Sequence, residues 1–303
     1  MLAAAIHAFG GPEELKVTEV DTPRPAPGEV RVRVRAAGVQ AYDCAVRAGW
    51  NPPGMTLAFP QVLGNDFAGV VDELGEGVTG FSVGDEVLGW AVLSCYAQYL
   101  VVPAEQVVSK PANMPWTEAG AFSASAQTAH TALKALEVGP GDTLLVHAAA
   151  GGVGTITVQL AREWGATVIG TAGEHNHAYL RSLGAIPVTY GEGLADRVRA
   201  LAPQGVTAVL DCIGGEALDV SVALVEDRAR IATLVDFGRV EELGVRAVFS
   251  QRSAERLREL TEVYGRNRLR VEISRVLPLD AAADAHRDVE TGHVRGKVVL
   301  SVD

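Results

Sequence analysis

Between residues 29 and 37 the chain alternates valine with arginine: Val30, Val32 and Val34 fall on one side, Arg31, Arg33 and Arg35 on the other. A period of two residues marks a strand with one face in a core and the other in water. The turn-forming lead-in Pro23-Arg24-Pro25-Ala26-Pro27-Gly28 precedes it. Further strands are predicted at residues 69–74, 85–88 and 96–103, with glycine or proline at nearly every junction. The stretch from residue 4 to about 117 therefore reads as mostly β.

The pattern changes near Thr117. Residues 118–136 are alanine-rich and read as one helix that stops before Gly139-Pro140-Gly141. Strands at 143–147, 166–170, 186–189, 206–211 and 229–235 then alternate with helices at 153–164, 175–183, 194–201 and 216–225. Such a rhythm predicts an α/β fold, a doubly wound parallel sheet with helices on both faces. After about residue 250 come a charged helix (253–265), a strand (271–274), a helix (280–291) and a last strand (296–302). This tail is free to pair with the N-terminal β unit. The expected domains are thus 1–118 with 250–303, and 119–249. No repeat or low-complexity segment interrupts them.

One junction carries chemistry. In Leu144-Leu145-Val146-His147-Ala148-Ala149-Ala150-Gly151-Gly152-Val153-Gly154 a buried-strand run enters a glycine turn. A helix with an apolar face follows (Val153, Ile156, Thr157, Leu160, Ala161, Trp164), and then a second apolar strand. Glycines let a backbone turn bring its N–H groups, and the positive end of a helix, up to a diphosphate. The pattern is Ala148-x-x-Gly151-x-x-Gly154, with Ala149 where the standard motif has its first glycine. Close strand–helix packing alone is the competing explanation of the small residues.

Composition narrows the classes of function. The 303-residue chain carries a net charge of −11, which argues against nucleic acid or an anionic membrane as main partner. No segment approaches the roughly 20 apolar residues of a membrane-spanning helix. The N-terminus lacks the basic start of a secretory signal. Cys44, Cys95 and Cys212 have neither disulfide nor metal spacing. A cytoplasmic α/β enzyme is the expectation.

A set of short motifs then fits together. Phe9-Gly10-Gly11-Pro12-Glu13-Glu14-Leu15 is followed by Pro27-Gly28-Glu29-Val30 and by Ala37-Gly38-Val39-x-x-x-Asp43-x-x-x-Arg47-x-Gly49. Leu63-Gly64-Asn65-Asp66-x-Ala68-Gly69-Val70-Val71, Val83-Gly84-Asp85-Glu86-Val87, the glycine turn and Gly296-Lys297-Val298-Val299-Leu300 complete it. In this order the chain resembles the medium-chain dehydrogenase/reductase superfamily, in its zinc-free quinone oxidoreductase (zeta-crystallin-like) and enoyl reductase branch. The resemblance implies a GroES-like β-rich catalytic domain, a Rossmann domain, an active-site cleft between them and a homodimer.

In zinc-containing members the cysteine ligand would fall at Gln40, and the Gly-His-Glu segment becomes Gly64-Asn65-Asp66. Zinc takes thiolate, imidazole or carboxylate donors, and amides at 40 and 65 replace them poorly. Of the structural four-cysteine lobe only Cys95 remains. The expectation is therefore no metal. Without a Lewis acid the favoured substrates take hydride readily, as quinones and α,β-unsaturated carbonyls do. Hydrogen-bond donors at the former zinc position are Gln40, Tyr42 and Asn65, with Asp43 as an orienter. Tyr42 can also give up a proton; a packed aromatic in the cleft wall is its alternative role. Trp50, Met55, Phe59 and Trp90 are candidates for the substrate pocket or the core.

An NAD site places a carboxylate at the end of the second strand, on the ribose hydroxyls. In Thr171-Ala172-Gly173 that place falls on Ala172, which favours NADP(H), with NAD(H) also admissible. The relatives' serine and lysine, which hold the 2′-phosphate, are replaced by Gly173 and His177. His175 and His177 supply charge only when protonated, beside Glu174; Tyr190 matches a tyrosine near the adenosine phosphate. The diphosphate is expected on Ala150, Gly151, Gly152, Val153 and Gly154, with Thr171 beside them. Thr128 matches a threonine at the nicotinamide end. Cys212 and Ile213, then Leu234, Val235, Phe237 and Gly238, follow strands at their carboxyl ends, where ligands bind in open α/β sheets. Arg295 or Lys297 is a candidate for the cofactor phosphate. The expected activity is reduction of a quinone or activated alkene. A pathway-specific enoyl reductase acting on an acyl or polyketide-like intermediate is one rival. A non-redox or regulatory module that only binds NADP(H) is another.

Overall fold

A computed structural model describes every residue except Pro53 and Asp303. The chain forms two compact units: Met1–Ala124 with Ser253–Arg266 and Val271–Asp303, and Ser125–Arg252 with Asn267–Arg270.

The first unit opens with β1 (Leu2–Ile6), β2 (Leu15–Glu19) and β3 (Glu29–Val39), followed by α1 (Ala41–Arg47). Next come β4 (Gln61–Val62), β5 (Asp66–Leu74), β6 (Glu86–Trp90), β7 (Tyr99–Pro103) and β8 (Val107–Ser109). In β3 the valines at 30, 32 and 34 are buried while Arg33 is exposed and Arg31 pairs with Asp72 and Glu73, as the alternation predicts. β3 is the spine of this unit, antiparallel to both β5 and β7.

The predicted single helix at 118–136 is two helices, α2 (Trp116–Gly120) and α3 (Ser123–Ala135). Packing causes the break. A Cβ on Gly120 would lie 2.6 Å from the Ala36 carbonyl oxygen, and one on Gly38 would lie 2.8 Å from Ala121 Cα. α2 therefore lies directly on β3 and ends there. α3 starts afresh, with the Ala124 N–H donating to Asp66 Oδ1 at 2.7 Å, a carboxylate at the positive end of a helix.

The second unit alternates as predicted: β9 (Thr143–Val146), α4 (Gly152–Glu163), β10 (Thr167–Thr171), α5 (His177–Ser182), β11 (Ile186–Val188) and α6 (Leu194–Leu201). β12 (Ala208–Asp211), α7 (Glu216–Leu224), β13 (Ile231–Thr233), α8 (Val240–Leu243) and β14 (Arg246–Ala247) complete it. The sheet order is β11-β10-β9-β12-β13-β14, with every pairing parallel. The chain winds outward from β9 to β11, then returns to β12 and winds the other way. This reversal leaves a crevice at the carboxyl ends of β9 and β12.

The tail rejoins the first unit through α9 (Ala254–Gly265), β15 (Ile273–Pro278), α10 (Ala282–Glu290) and β16 (Lys297–Ser301). β16 pairs antiparallel with β3 and parallel with β15. The strand expected at 271–274 thus runs Ile273–Pro278. It is an edge strand whose residues are mostly exposed, so its sequence shows no apolar period. Among the described residues no helix is long and apolar enough to cross a membrane.

Candidate active site

In the first unit Gln40, Asp43, Asn65, Asp66 and Tyr96 form a hydrogen-bonded cluster. Gln40 is the N-cap of α1 in a capping box with Asp43: the Gln40 N–H donates to Asp43 Oδ2 at 2.9 Å. The Gln40 side-chain amide donates to Asp66 Oδ2 at 2.7 Å, and the Asn65 amide to Asp43 Oδ1 at 2.7 Å. Tyr96 donates its hydroxyl to Asp43 Oδ2 at 2.8 Å. Asp43 and Asp66 are both fully buried. Burial raises the Asp43 carboxyl above its ordinary range, while hydrogen bonds from Tyr96, Gln40 and Asn65 and the charge of Lys297 pull it back. Lys297 itself is buried and donates to the Val39 carbonyl at 3.1 Å.

These bonds assign work to each residue. The amides of Gln40 and Asn65 face carboxylates and act as donors, opposite to what a cation needs. Among the described residues no three His, Cys, Asp or Glu side chains gather as a metal-binding set. Asp43 is the hub that orients Asn65 and the start of α1. Tyr42 is half-buried and packs edge-on against Trp50, ring centroids 5.2 Å apart. The sequence reading missed Tyr96 and Asp66 as members of the cluster.

In the second unit the turn after β9 is built around Ala148, which holds a left-handed φ of 54°. Its N–H donates to Thr171 Oγ1 at 3.1 Å, the Ala149 N–H to the Thr171 carbonyl at 3.0 Å, and the Gly151 N–H to the Ala148 carbonyl at 3.0 Å. α4 then begins with Gly151 as an N-cap that offers no side chain. Among the described residues no acceptor meets the N–H groups of Gly152, Val153 and Gly154. They are the orphan donors of a helix start and attract an anion. Gly154 is the packing glycine: a Cβ there would lie 2.5 Å from the Ala148 carbonyl oxygen, whereas one on Gly151 would meet nothing closer than 3.4 Å. Ala150 is buried at the turn.

At the end of β10, Thr171 and Ala172 are buried and no side-chain carboxylate stands at position 172. His177 Nε2 lies 3.3 Å from the Ala172 carbonyl and 3.4 Å from Thr189 Oγ1, so its ring faces the protein's own backbone. His175, beside Gly173, is exposed and meets the Asn176 amide at 3.1 Å. Tyr190 is exposed.

The next two strand ends are locked together. Buried Asp211 accepts the N–H groups of Ile213 and Gly214 on Oδ1, at 3.0 and 2.9 Å, and the Thr233 hydroxyl on Oδ2 at 2.7 Å. Thr233 Oγ1 in turn accepts the N–H groups of Val235 and Asp236. This fixes the turns bearing Cys212 and Leu234, and leaves Ile213, Val235 and Phe237 as exposed apolar side chains at the carboxyl edge. Burial and the Asp211 charge push the Cys212 thiol up, so it stays protonated. Gly238 follows Phe237 in the same short turn. Thr128 is half-buried on α3. Arg295 belongs to the first unit, where its Nε meets Glu272 at 2.9 Å.

Comparison with known proteins agrees with this architecture. Residues 26–112 match the family described as alcohol dehydrogenase GroES-like domain, and residues 183–300 the family described as zinc-binding dehydrogenase. A 2-haloacrylate reductase from Burkholderia sp is 34% identical, over 99% of this chain and 98% of its own. The solved structure of the quinone oxidoreductase from Coxiella burnetii superposes with a TM-score of 0.90 at 34% identity, covering 100% of this chain and 99% of that one. The Escherichia coli quinone oxidoreductase complexed with NADPH superposes with a TM-score of 0.88 at 26% identity, covering 99% and 100%. With a GroES-like unit around β3, a six-stranded parallel unit with its glycine turn, and full-length relatives of this kind, the chain belongs to the medium-chain dehydrogenase/reductase superfamily.

Proposed function

We propose that this chain is an NADP(H)-dependent reductase of quinones or α,β-unsaturated carbonyls that works without zinc. The observation that carries the reading is the start of α4, where three N–H groups stand without an acceptor among the described residues at a glycine turn. Their partner is a dinucleotide diphosphate. Gly173 and Tyr190 border the adenosine end, and Ala172 leaves room for a 2′-phosphate that a carboxylate would repel. Thr128, Ile213, Val235 and Phe237 border the nicotinamide end. When bound, the reduced nicotinamide supplies the hydride. The NADPH held by the Escherichia coli relative supports the choice of dinucleotide. The quinone and haloacrylate named for the relatives support an electron-poor acceptor.

The donor set supports the zinc-free reading: Gln40 and Asn65 point amide N–H groups at carboxylates. Tyr42 is the proposed proton donor to the reduced acceptor. Asp43, Asn65 and Gln40 hold the start of α1, on which Tyr42 stands, through their hydrogen bonds. The free thiols of Cys44, Cys95 and Cys212 support a reducing, cytoplasmic setting. The open outer edge of β14, beside the exposed Phe237–Phe249 stack with centroids 4.6 Å apart, supports a homodimer; sedimentation of the purified protein tests it.

The decisive experiment follows the reduced-nicotinamide absorbance with NADPH or NADH and a panel of quinones, enones and 2-enoyl thioesters, with and without a chelator. The expected result is NADPH consumption with quinones or enones, unaffected by the chelator. Turnover confined to 2-enoyl thioesters would identify a pathway enoyl reductase. Tight NADPH binding with no acceptor reduced would identify a non-redox module.

A further inference from the structure

We infer that His147 is a positioning residue for the dinucleotide: a buried neutral imidazole of fixed tautomer that, through the Thr171 hydroxyl, holds the turn at Ala148 in the shape that presents the first N–H groups of α4. The inference rests on the reading that this turn takes a dinucleotide phosphate.

His147 follows β9 directly and is 1% exposed. Its backbone N–H donates to the Leu210 carbonyl at 2.9 Å, extending the β9–β12 pairing to the edge of the crevice. The ring lies between two hydroxyls. Nε2 is 3.1 Å from Ser221 Oγ on α7, and Nδ1 is 3.4 Å from Thr171 Oγ1 at the end of β10.

The direction of each bond follows from hydrogen counting. Ser221 has one hydroxyl hydrogen and gives it to the Ala217 carbonyl, 2.7 Å away. Towards His147 it can only accept, so Nε2 carries the ring hydrogen. In the neutral ring Nδ1 is then a bare acceptor, and Thr171 donates its hydroxyl hydrogen to it. This leaves the Thr171 lone pairs free for the Ala148 N–H at 3.1 Å. Two unfrustrated runs meet at the ring: Ala148 N–H to Thr171 O–H to Nδ1, and Nε2–H to Ser221 O–H to the Ala217 carbonyl. A charged ring would put a hydrogen on Nδ1 and force the Thr171 hydroxyl to turn away. Burial separately favours the neutral ring, with the Asp211 charge opposing.

The end of the first run matters because Ala148 is strained. Its left-handed φ costs an alanine about 1–2 kcal/mol relative to ordinary backbone, and a neighbouring hydrogen bond is what keeps such a residue in place. The Thr171 hydroxyl holds the peptide plane before Ala148, and the Thr171 carbonyl holds the plane after it through the Ala149 N–H at 3.0 Å, so that together they fix the Ala148 carbonyl. That carbonyl accepts the Gly151 N–H and lies against Gly154. Thr171 thus serves the site through its hydroxyl from inside the protein, and His147 fixes the hydroxyl.

Three variants test this. His147→Leu removes both ring nitrogens, Thr171→Val removes the hydroxyl while keeping a β-branched strand residue, and His147→Asn restores an acceptor near the place of Nδ1. NADPH Kd is measured by fluorescence titration and kcat and KM with one acceptor, with melting temperatures recorded for each protein. The expected result is a rise of about tenfold in NADPH Kd and KM for His147→Leu and Thr171→Val, one hydrogen bond's worth. The KM for the acceptor stays unchanged, and His147→Asn recovers most of the NADPH affinity. Nitrogen-15 histidine spectra of the wild-type protein show a neutral ring protonated on Nε2. Unchanged NADPH affinity in the folded Thr171→Val protein, or a ring protonated on Nδ1, overturns the inference even if His147→Leu fails to fold. A wild-type protein that binds neither NADPH nor NADH overturns instead the reading of the glycine turn, and the inference with it.

Discussion

Gly154 lacks a side chain because backbone already fills the space for one. A Cβ there would lie 2.5 Å from the Ala148 carbonyl oxygen and 2.7 Å from Ala149 Cα, and neither atom can swing aside as a side chain would. Gly154→Ala is expected to cost about 1–3 kcal/mol of stability by overpacking and to weaken NADPH binding by moving the turn. Gly151→Ala, at a φ of −75° that is ordinary for alanine, should melt close to wild type. Thermal melting and NADPH titration of the two variants check the contrast. In the first unit, Asn65→Leu leaves the buried Asp43 carboxylate without one of its three donors. That should cost about 1–3 kcal/mol, read by denaturant unfolding; an unchanged midpoint would show that the amide bond contributes nothing. The residue types at 40, 43 and 65 were legible in the sequence. Asp43 reads there as an orienter; the parts of Asp66 and Tyr96 were not legible, because only folding brings those residues to α1.

Elements were legible where burial imposes a period. The alternation in β3 and the strand–helix rhythm of the second unit are direct prints of one-sided and two-sided burial. Short or edge elements left no such print: the three-residue β8 and the two-residue β14 lie below the length at which a period shows, and β15 is mostly exposed. α1 was missed because its capping box uses Gln40 in place of serine or threonine. The break between α2 and α3 was hidden because the alanines on both sides are good helix formers. Its cause lies in tertiary packing, and it yields a prediction of sign. Helix propensity alone favours Gly120→Ala by about 1 kcal/mol. The structure puts the new Cβ 2.6 Å from the Ala36 carbonyl oxygen and 2.7 Å from its carbonyl carbon. The clash should win, with a net loss of about 1–3 kcal/mol. A Gly120→Ala protein more stable than wild type in urea would show that α2 does not lie on β3 as described.

For the molecule as a whole, buried histidines tie stability to pH. His286 on α10 is fully buried, both ring nitrogens lack partners among the described residues, and its ring meets Tyr96 edge-on at 5.9 Å. Burial and the Arg47 charge push its pKa down to about 3, against about 6.5 for an unfolded chain. Burial lowers His147 as well. As pH falls through about 6.5 the unfolded chain takes up protons that the folded protein refuses, so stability drops. The slope approaches about 1.4 kcal/mol per pH unit for each such group, and for His286 it persists down to its folded value near 3. Asp43, raised by burial, acts in the opposite sense below its own raised value, and its contribution cancels when wild type and a histidine variant are compared at each pH. His286→Leu replaces an unpartnered buried polar ring with an apolar side chain. It should be neutral or stabilising at neutral pH and should flatten the acid slope by about one proton's worth. Urea unfolding of both proteins at several pH values from about pH 6.5 to about pH 5 measures the two slopes. Parallel slopes would mean that His286 is protonated in the folded protein, and that the neutral interior drawn for this unit is wrong.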